Sequence, residues 1–399
     1  MDSTVTAREF AVAGCGVVTA LGCGMRSLEQ AVAGNASAVR QFDAIAGKGY
    51  QSEVAAGIPA AVMAQVDSLC PPAADTVPLR LAFAAAAEAK LGMGDAWSRI
   101  PPGRIAVVLS TTKADTLALE AAVDGRPAPA GHCRHILPMG LAGDLAELLG
   151  ARGPVQCVSL ACTSGIMALQ QGCTLLRRGQ ADVVCVVGVD IMTQFVLSGF
   201  SSLKSLDPRG CRPFDATRAG LSLGEGAGAV VLVRPDFPAH TGCMVIGCGS
   251  SNDANHLTGP SRDGAGLALA INRALGAASL PAGRIEYINA HGTGTVYSDA
   301  MESLAFKTVF GEKVPPVSAS KGMFGHTLGA AGVIEAVVCF IAGRSGTLPG
   351  TPGLGTPDPV APQSILARPK PGVFPHYILK TNSGFGGMNA ALVMEVRNK

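Results

Sequence analysis

Short apolar runs, most of them bounded by glycine, recur along the chain: Phe10–Val18, Arg104–Leu109, Val155–Leu160, Val183–Val189, Ala227–Val233, Met244–Gly247, Tyr287–Asn289 and Tyr377–Lys380. Runs of this length with apolar residues at successive positions predict strands covered on both faces. Longer Ala- and Leu-rich stretches, such as Leu79–Leu91 and Ser164–Arg178, lie between several of them and predict helices. Strands separated by helices in this way predict an α/β fold. The polar, proline-containing segment Arg234–Thr241 marks a boundary between two halves, residues 1–237 and 238–399. Arg344 to Gly372 is rich in Pro and Gly and predicts a non-helical surface connection, which Leu354, Val360, Ile365 and Leu366 should pack down.

Composition narrows the class. Of 399 residues, 48% are hydrophobic and 15% charged, and the formal charge is +2, which excludes a disordered chain. Cations are scattered, with no run longer than Arg177-Arg178, so no basic face for nucleic acid is expected. The 12 cysteines are spread from Cys15 to Cys339 without CxxC pairs and read as free thiols in a reducing, cytoplasmic setting, with no structural metal. The longest uncharged stretch, Pro154–Leu176, could cross a bilayer by length, but Gln156, Ser159, Thr163, Ser164, Gln170 and Gln171 argue against a membrane span. The run Phe10–Leu21 follows Asp2, Arg8 and Glu9 and is broken by glycine, so it reads as a buried strand rather than a cleaved signal.

Three residues carry candidate chemistry. Cys162 falls at the predicted turn between strand Val155–Ala161 and the helix beginning at Ser164. A helix N-terminus favours an anion, so the thiol pKa is expected to fall, giving a nucleophile for acyl transfer. The other cysteines, Cys157 among them, read as buried fillers. Two of the seven histidines stand in glycine-rich turns after strand-like segments: His291 in His291-Gly-Thr-Gly-Thr295, followed by Asp299 and Glu302, and His326 in the stretch from Lys321 to Gly332. Glycine beside an imidazole allows a tight turn and close approach of a substrate. Lys321 and Glu335 stand where they could orient the His326 imidazole, and Glu335, among Val333, Ile334, Ala336 and Val337, needs a buried partner. The last glycine turn, Thr381-Asn-Ser-Gly-Phe385-Gly-Gly-Met-Asn389, presents Phe385 over a pocket and offers N–H groups for an oxyanion.

Together these motifs resemble the β-ketoacyl–acyl carrier protein synthases of the thiolase superfamily, in the branch with a Cys-His-His site. The resemblance runs from Val17-Val-Thr-Ala-Leu-Gly22 through Leu160-Ala-Cys162-Thr-Ser-Gly165, Cys211-Arg-Pro-Phe-Asp215, Gly224-Glu-Gly-Ala-Gly228 and Pro357-Asp-Pro359 to Asn382–Asn389. It implies a thiolase-like duplicated fold, five layers α/β/α/β/α with two mixed five-stranded sheets, usually dimeric. It implies decarboxylative condensation of an acyl thioester with malonyl-acyl carrier protein, in fatty-acid or polyketide/polyene biosynthesis. No cofactor is implied beyond the phosphopantetheine arm of the acyl carrier protein that delivers the substrates. By the same resemblance Cys162 takes the acyl group, His291 and His326 support decarboxylation, and Lys321 and Glu335 are the supporting pair. Thr293 and Thr295 bind the pantetheine arm, and Phe385, with the adjoining Gly386, borders the substrate entrance. A homodimer, or a heterodimer with a related subunit, follows from the same likeness. The chain departs from the pattern at Ser110-Thr-Thr-Lys113-Ala-Asp115 and at Arg218-Ala219-Gly220-Leu221, which leaves the acyl chain open. The alternative is a non-catalytic, chain-length-factor-type subunit; those typically lose the nucleophile, which this chain keeps. A thiolase is disfavoured because no cysteine stands in the final glycine turn.

Overall fold

The computed structural model describes residues 9–127, 132–238 and 240–397. Ten strands form its framework: β1 (Phe10–Thr19), β2 (Ile105–Ser110), β3 (Val155–Val158), β4 (Val183–Asp190), β5 (Gly226–Val233), β6 (Cys243–Asn252), β7 (Tyr287–Ala290), β8 (Val317–Ala319), β9 (Tyr377–Gly384) and β10 (Met388–Val396). The first five are ordered β3-β2-β4-β5-β1 and the second five β8-β7-β9-β10-β6. In each set the first three strands are parallel and the last two pair antiparallel, so one topology occurs twice. The outer strands β1 and β6 touch antiparallel, with Phe10 opposite Val245 and Ala11 opposite Met244, which joins the two sheets into one ladder.

Helices form the other layers. Helix α1 (Val77–Leu91) covers the outer face of the first sheet, and α4 (Ala265–Ala277) with α5 (Val296–Phe310) that of the second. Between the sheets lie α2 (Ser164–Arg177) and α6 (Ala331–Ser345), which pack on each other and on strands of both sheets. A further helix, α3 (Gln194–Ser202), borders the site described below. The α6 residues from Ala331 to Gly343 are all buried. Such a helix is apolar on every side because it has a sheet above and below it. The stretch Leu328–Ser345 is apolar and long enough to cross a bilayer, yet 89% of it is buried in the fold, as a core helix would be.

The α2–α6 crossing is set by glycine. A Cβ on Gly165 would lie 2.6 Å from the Val333 nitrogen, and one on Gly332 would lie 2.6 Å from the Ile166 nitrogen. The two backbones therefore touch directly, which fixes the residue just before α2 against the residues just before α6.

Two expectations need adjusting. Strand β3 ends at Val158 rather than continuing to Ala161, and all four of its residues are half-buried because it pairs with β2 alone at the edge of the ladder. Within the Pro- and Gly-rich connection after α6, Ile365 and Leu366 pack beside β8, through Val317 N–H to Ser364 and Leu366 N–H to Val317, whereas Val360 is exposed.

Candidate active site

Residues 159–163 carry the chain from β3 into α2, and their own side chains build the turn. The Ser164 hydroxyl donates to the Ala161 carbonyl at 2.6 Å and accepts the Leu160 N–H at 2.8 Å, while the Thr163 hydroxyl donates to the Leu160 carbonyl at 2.7 Å. Ala161 is held at φ 49°, a left-handed conformation that costs a non-glycine residue about 1–3 kcal/mol. The bonds on either side maintain it, and the next residue, Cys162, faces the cavity with 7% exposure.

Both histidines come from the second half of the chain. His291 follows β7, and the N–H groups of His291 and Gly292 donate to the Glu302 carboxylate at 2.8 and 2.7 Å. Gly292 has φ 47°, and a Cβ there would lie 2.3 Å from the Ala319 side chain, so no larger residue fits the turn. His326 is held through its backbone, its N–H on the Ser222 carbonyl at 2.7 Å and its carbonyl on the Gly224 N–H at 3.0 Å.

The three side chains meet. His326 Nε2 lies 3.0 Å from Cys162 Sγ, and the two imidazoles stand edge to face with centroids 5.4 Å apart. Hydrogen-bond logic fixes their tautomers. The Leu328 N–H donates to His326 Nδ1 at 3.2 Å, and His291 Nδ1 faces two donors, Lys321 Nζ at 3.1 Å and the Asn382 amide at 3.0 Å. Each Nδ1 is thus an acceptor, so in the neutral ring the proton is on Nε2. The sulfur and one nitrogen of each ring lie within 4.8 Å of one another, a donor set that could suit zinc. With both Nε2 atoms protonated, however, neither ring turns a lone pair toward the sulfur.

Behind the rings lies a buried charge cluster. Glu335, fully buried on α6, is bonded by Lys321 Nζ at 2.6 Å, Lys380 Nζ at 3.0 Å and the Asn382 amide at 3.0 Å. Burial alone would raise the Glu335 carboxyl, but Lys321 and Lys380 overcome it and hold it below the usual range. Burial pushes His291 and His326 well below the ordinary imidazole value, and Lys321 pushes them further, so both rings are neutral. Burial raises the Asp299 carboxyl to about 7, opposed by N–H bonds from Phe214 and Gly294 and by Arg218.

Cys162 corrects the expectation of an acidic thiol. Burial pushes it up to about 11, with Asp190 and Glu335 adding to the rise, while Lys321 and the Phe385 N–H oppose it. The sulfur is almost sealed from water, and that loss of solvation outweighs the favourable charges around it.

A cavity of about 440 Å³ connects these groups to the surface. Thr293 and Thr295 line it, their hydroxyls 2.9 Å apart. Phe385 stacks on Phe200 of α3 at 5.7 Å, both on the cavity wall. Gly386 has φ 80° and sends its N–H to the Leu257 carbonyl at 2.7 Å. Ala219 and Leu221, from the second departure, also line the wall. At the first departure, Thr111, Thr112 and Lys113 all bond the buried Asp190 carboxylate, which also accepts the Gly329 N–H at 2.7 Å.

Sequence reasoning did not select Lys380, Asn382, Asp190 or Phe200. Lys380 had a usable signal, a lone cation in the apolar run Tyr377-Ile-Leu-Lys380, because a charge on a buried strand requires partners. Asn382 had none that set it apart from its glycine-rich neighbours.

Comparison with known proteins agrees with this arrangement. The β-ketoacyl synthase N-terminal domain matches residues 7–236 and the β-ketoacyl synthase C-terminal domain residues 242–354. A Streptomyces cyaneus protein named as a polyketide β-ketoacyl synthase is 33% identical over 97% of this chain and 98% of its own length. Among solved structures, the ishigamide ketosynthase/chain length factor superposes with TM-score 0.91 at 28% identity, covering 98% of this chain and 100% of that one. A type II polyketide synthase acyl carrier protein in complex with its hexaketide-bound ketosynthase gives TM-score 0.89 at 25% identity, with 98% and 100% covered. With a thiol and two imidazoles meeting inside a duplicated five-layer fold, and family matches across both halves, the chain belongs to the β-ketoacyl synthase family.

Proposed function

We propose that the protein catalyses decarboxylative condensation of an acyl thioester with a malonyl thioester, both delivered on the phosphopantetheine arm of an acyl carrier protein, to give a 3-oxoacyl thioester. The observation that carries this reading is the convergence of Cys162 Sγ with two neutral rings whose Nε2 atoms bear protons.

In the first half-reaction Cys162 Sγ attacks the acyl thioester carbonyl. The sulfur–carbon bond to the arm breaks, and the proton lost by Cys162 ends on the departing thiol. A thiol near pKa 11 is a poor resting anion, so its negative charge is held only as it forms, by His326 Nε2–H and the Phe385 N–H. In the second, the bond between the malonyl methylene and its carboxylate breaks and carbon dioxide leaves. The electron pair enters an enolate whose thioester oxygen is bound by the two Nε2–H groups. That carbon then attacks the acyl-Cys162 carbonyl and expels the sulfur as a thiolate, which takes a proton from solvent to return to the resting thiol. Neutral rings suit this step because they donate hydrogen bonds to the enolate oxygen without handing over a proton that would quench the carbon before it attacks. Thr293 and Thr295 hold the arm, and Phe385 with Phe200 closes the wall beside it.

The acyl group is of the polyketide type, as supported by the relative named as a polyketide β-ketoacyl synthase and the hexaketide-bound ketosynthase, and by the Ser110–Asp115 departure. The partner subunit is a second ketosynthase-type chain beside β3, whose outer edge has no neighbouring strand among the described residues and adjoins exposed Met139 and Leu160. The free thiols fit a reducing cytoplasm. The test is to incubate the protein with a panel of acyl-loaded and malonyl-loaded carriers, reading Cys162 adducts by intact mass and carbon dioxide release. An adduct on Cys162 that disappears as malonyl carrier is added is expected. No adduct and no carbon dioxide would overturn the reaction, and preferential loading by saturated fatty acyl carriers would overturn the acyl class.

A further inference from the structure

We propose that Lys380 is a positioning residue for His291, fixing both the backbone that bears the ring and the network that dictates which ring nitrogen carries the proton. The proposal rests on the assignment of His291 as an enolate donor. Lys380 projects from the middle of β9 with its side chain fully buried. Its ammonium reaches four oxygens: Glu335 at 3.0 Å and the carbonyls of Thr381 at 2.6 Å, Ala290 at 3.1 Å and Asn289 at 3.3 Å. Asn289 and Ala290 end β7 and are the two residues before His291, so one cation grips the strand end on which the ring is mounted.

The second effect runs through Glu335. Its two oxygens are divided, Oε1 to Lys321 and Oε2 to Lys380 and Asn382. Lys321 and Asn382 are the two donors at His291 Nδ1. A carboxylate clamped on both oxygens cannot rotate, and its immobility keeps both donors aimed at Nδ1. Lys380 thereby supports the ring from beneath and, through one shared carboxylate, from behind. Lys321 alone would leave Oε2 with a single neutral donor.

The charged and titratable groups around His291 are Lys321, His326, Lys380, Glu335, Glu302 and the Cys162 thiol. Deleting the Lys380 charge makes the surroundings less positive, so ring protonation becomes easier. A protonated ring would turn an Nδ1–H toward two donors and be displaced.

The test uses full-length protein labelled with ¹⁵N-histidine, with the His291 signal assigned by its loss in His291→Gln. The parent should show His291 as the neutral Nε2–H tautomer throughout the range from pH 8 to 5.5. Lys380→Met should give a mixed tautomer, or titrate at a pH higher by about one unit, the size of a tenfold change in protonation. Carbon dioxide release by Lys380→Met should fall about tenfold in kcat with KM for the malonyl carrier within about twofold, since tenfold is one such unit. Lys380→Gln keeps donors but not the charge, and is read in the same way should Lys380→Met not fold. A folded Lys380→Met, or failing that Lys380→Gln, with parental tautomer and parental titration overturns the proposal. Because the tautomer is read without substrate, that failure is separate from a parent protein that releases no carbon dioxide, which would overturn the reaction instead.

Discussion

The ionisation of Cys162 gives the most direct check on the site. A thiol of pKa 9.0 is about one-tenth thiolate at pH 8, whereas one raised to about 11 is about one-thousandth, a hundredfold difference for about two pKa units. Nucleophilicity partly compensates, since thiolate reactivity rises with pKa with a slope of about 0.4–0.5, which returns roughly one factor of ten. Alkylation of Cys162 by iodoacetamide at pH 8 should therefore run about tenfold slower than that of a small thiol of ordinary pKa, before any steric slowing. Steric slowing does not change the pH slope, so the slope is the better measure. Followed by intact mass and peptide mapping, the rate should climb about tenfold per unit from pH 7 to pH 10, with no plateau. A plateau below pH 9 would mean a thiolate already formed at rest, with the neighbouring charges outweighing burial.

Other outcomes follow from the same geometry. Cys162→Gln should form no acyl adduct by intact mass while still releasing carbon dioxide from malonyl carrier. His291→Ala should lose about 10²–10³ in carbon dioxide release, the scale of removing one oxyanion donor, with loading of Cys162 within a few-fold of the parent. Glu335→Leu strands Lys321 and Lys380 in the core, and should lower unfolding free energy by about 3–5 kcal/mol in a denaturant titration, whereas a surface carboxylate would move it by less than one. Gly165→Ala should cost about 1–3 kcal/mol by overpacking and also slow acyl loading, because the α2–α6 contact has no room for a methyl group.

Much of the framework was legible because buried strands write themselves as short apolar runs. β4 and β5 were placed to within a residue at each end. β6 was harder, reaching Asn252 where Met244–Gly247 was expected, because Cys248 to Asn252 alternate in burial and contain two serines. β3 was misread as buried since Val155 and Val158 look the same at a sheet edge as in its middle. Cys162, His291 and His326 stood out through turn chemistry, and the structure brings them together. Glu335 had to have a partner, and it has three. The thiol's acidity was not legible, because it depends on how completely distant segments exclude water from one sulfur. Lys380 and Asn382 were missed for a related reason: the partners that give them a role, Glu335 and the residues about His291, lie 45 or more residues away by number.

The bare-backbone contact between Gly165 and Gly332 bears on how such an enzyme can diversify. The nucleophile precedes one of these helices and a hydrogen-bond-donating ring precedes the other, so their spacing is inherited from a junction with no side chain to vary. New substrates must then be accommodated by the walls, at positions such as Ala219, Leu221 and Phe200, while the reacting atoms keep their separation. Libraries aimed at altered products should spare the junction and spend their diversity on the lining.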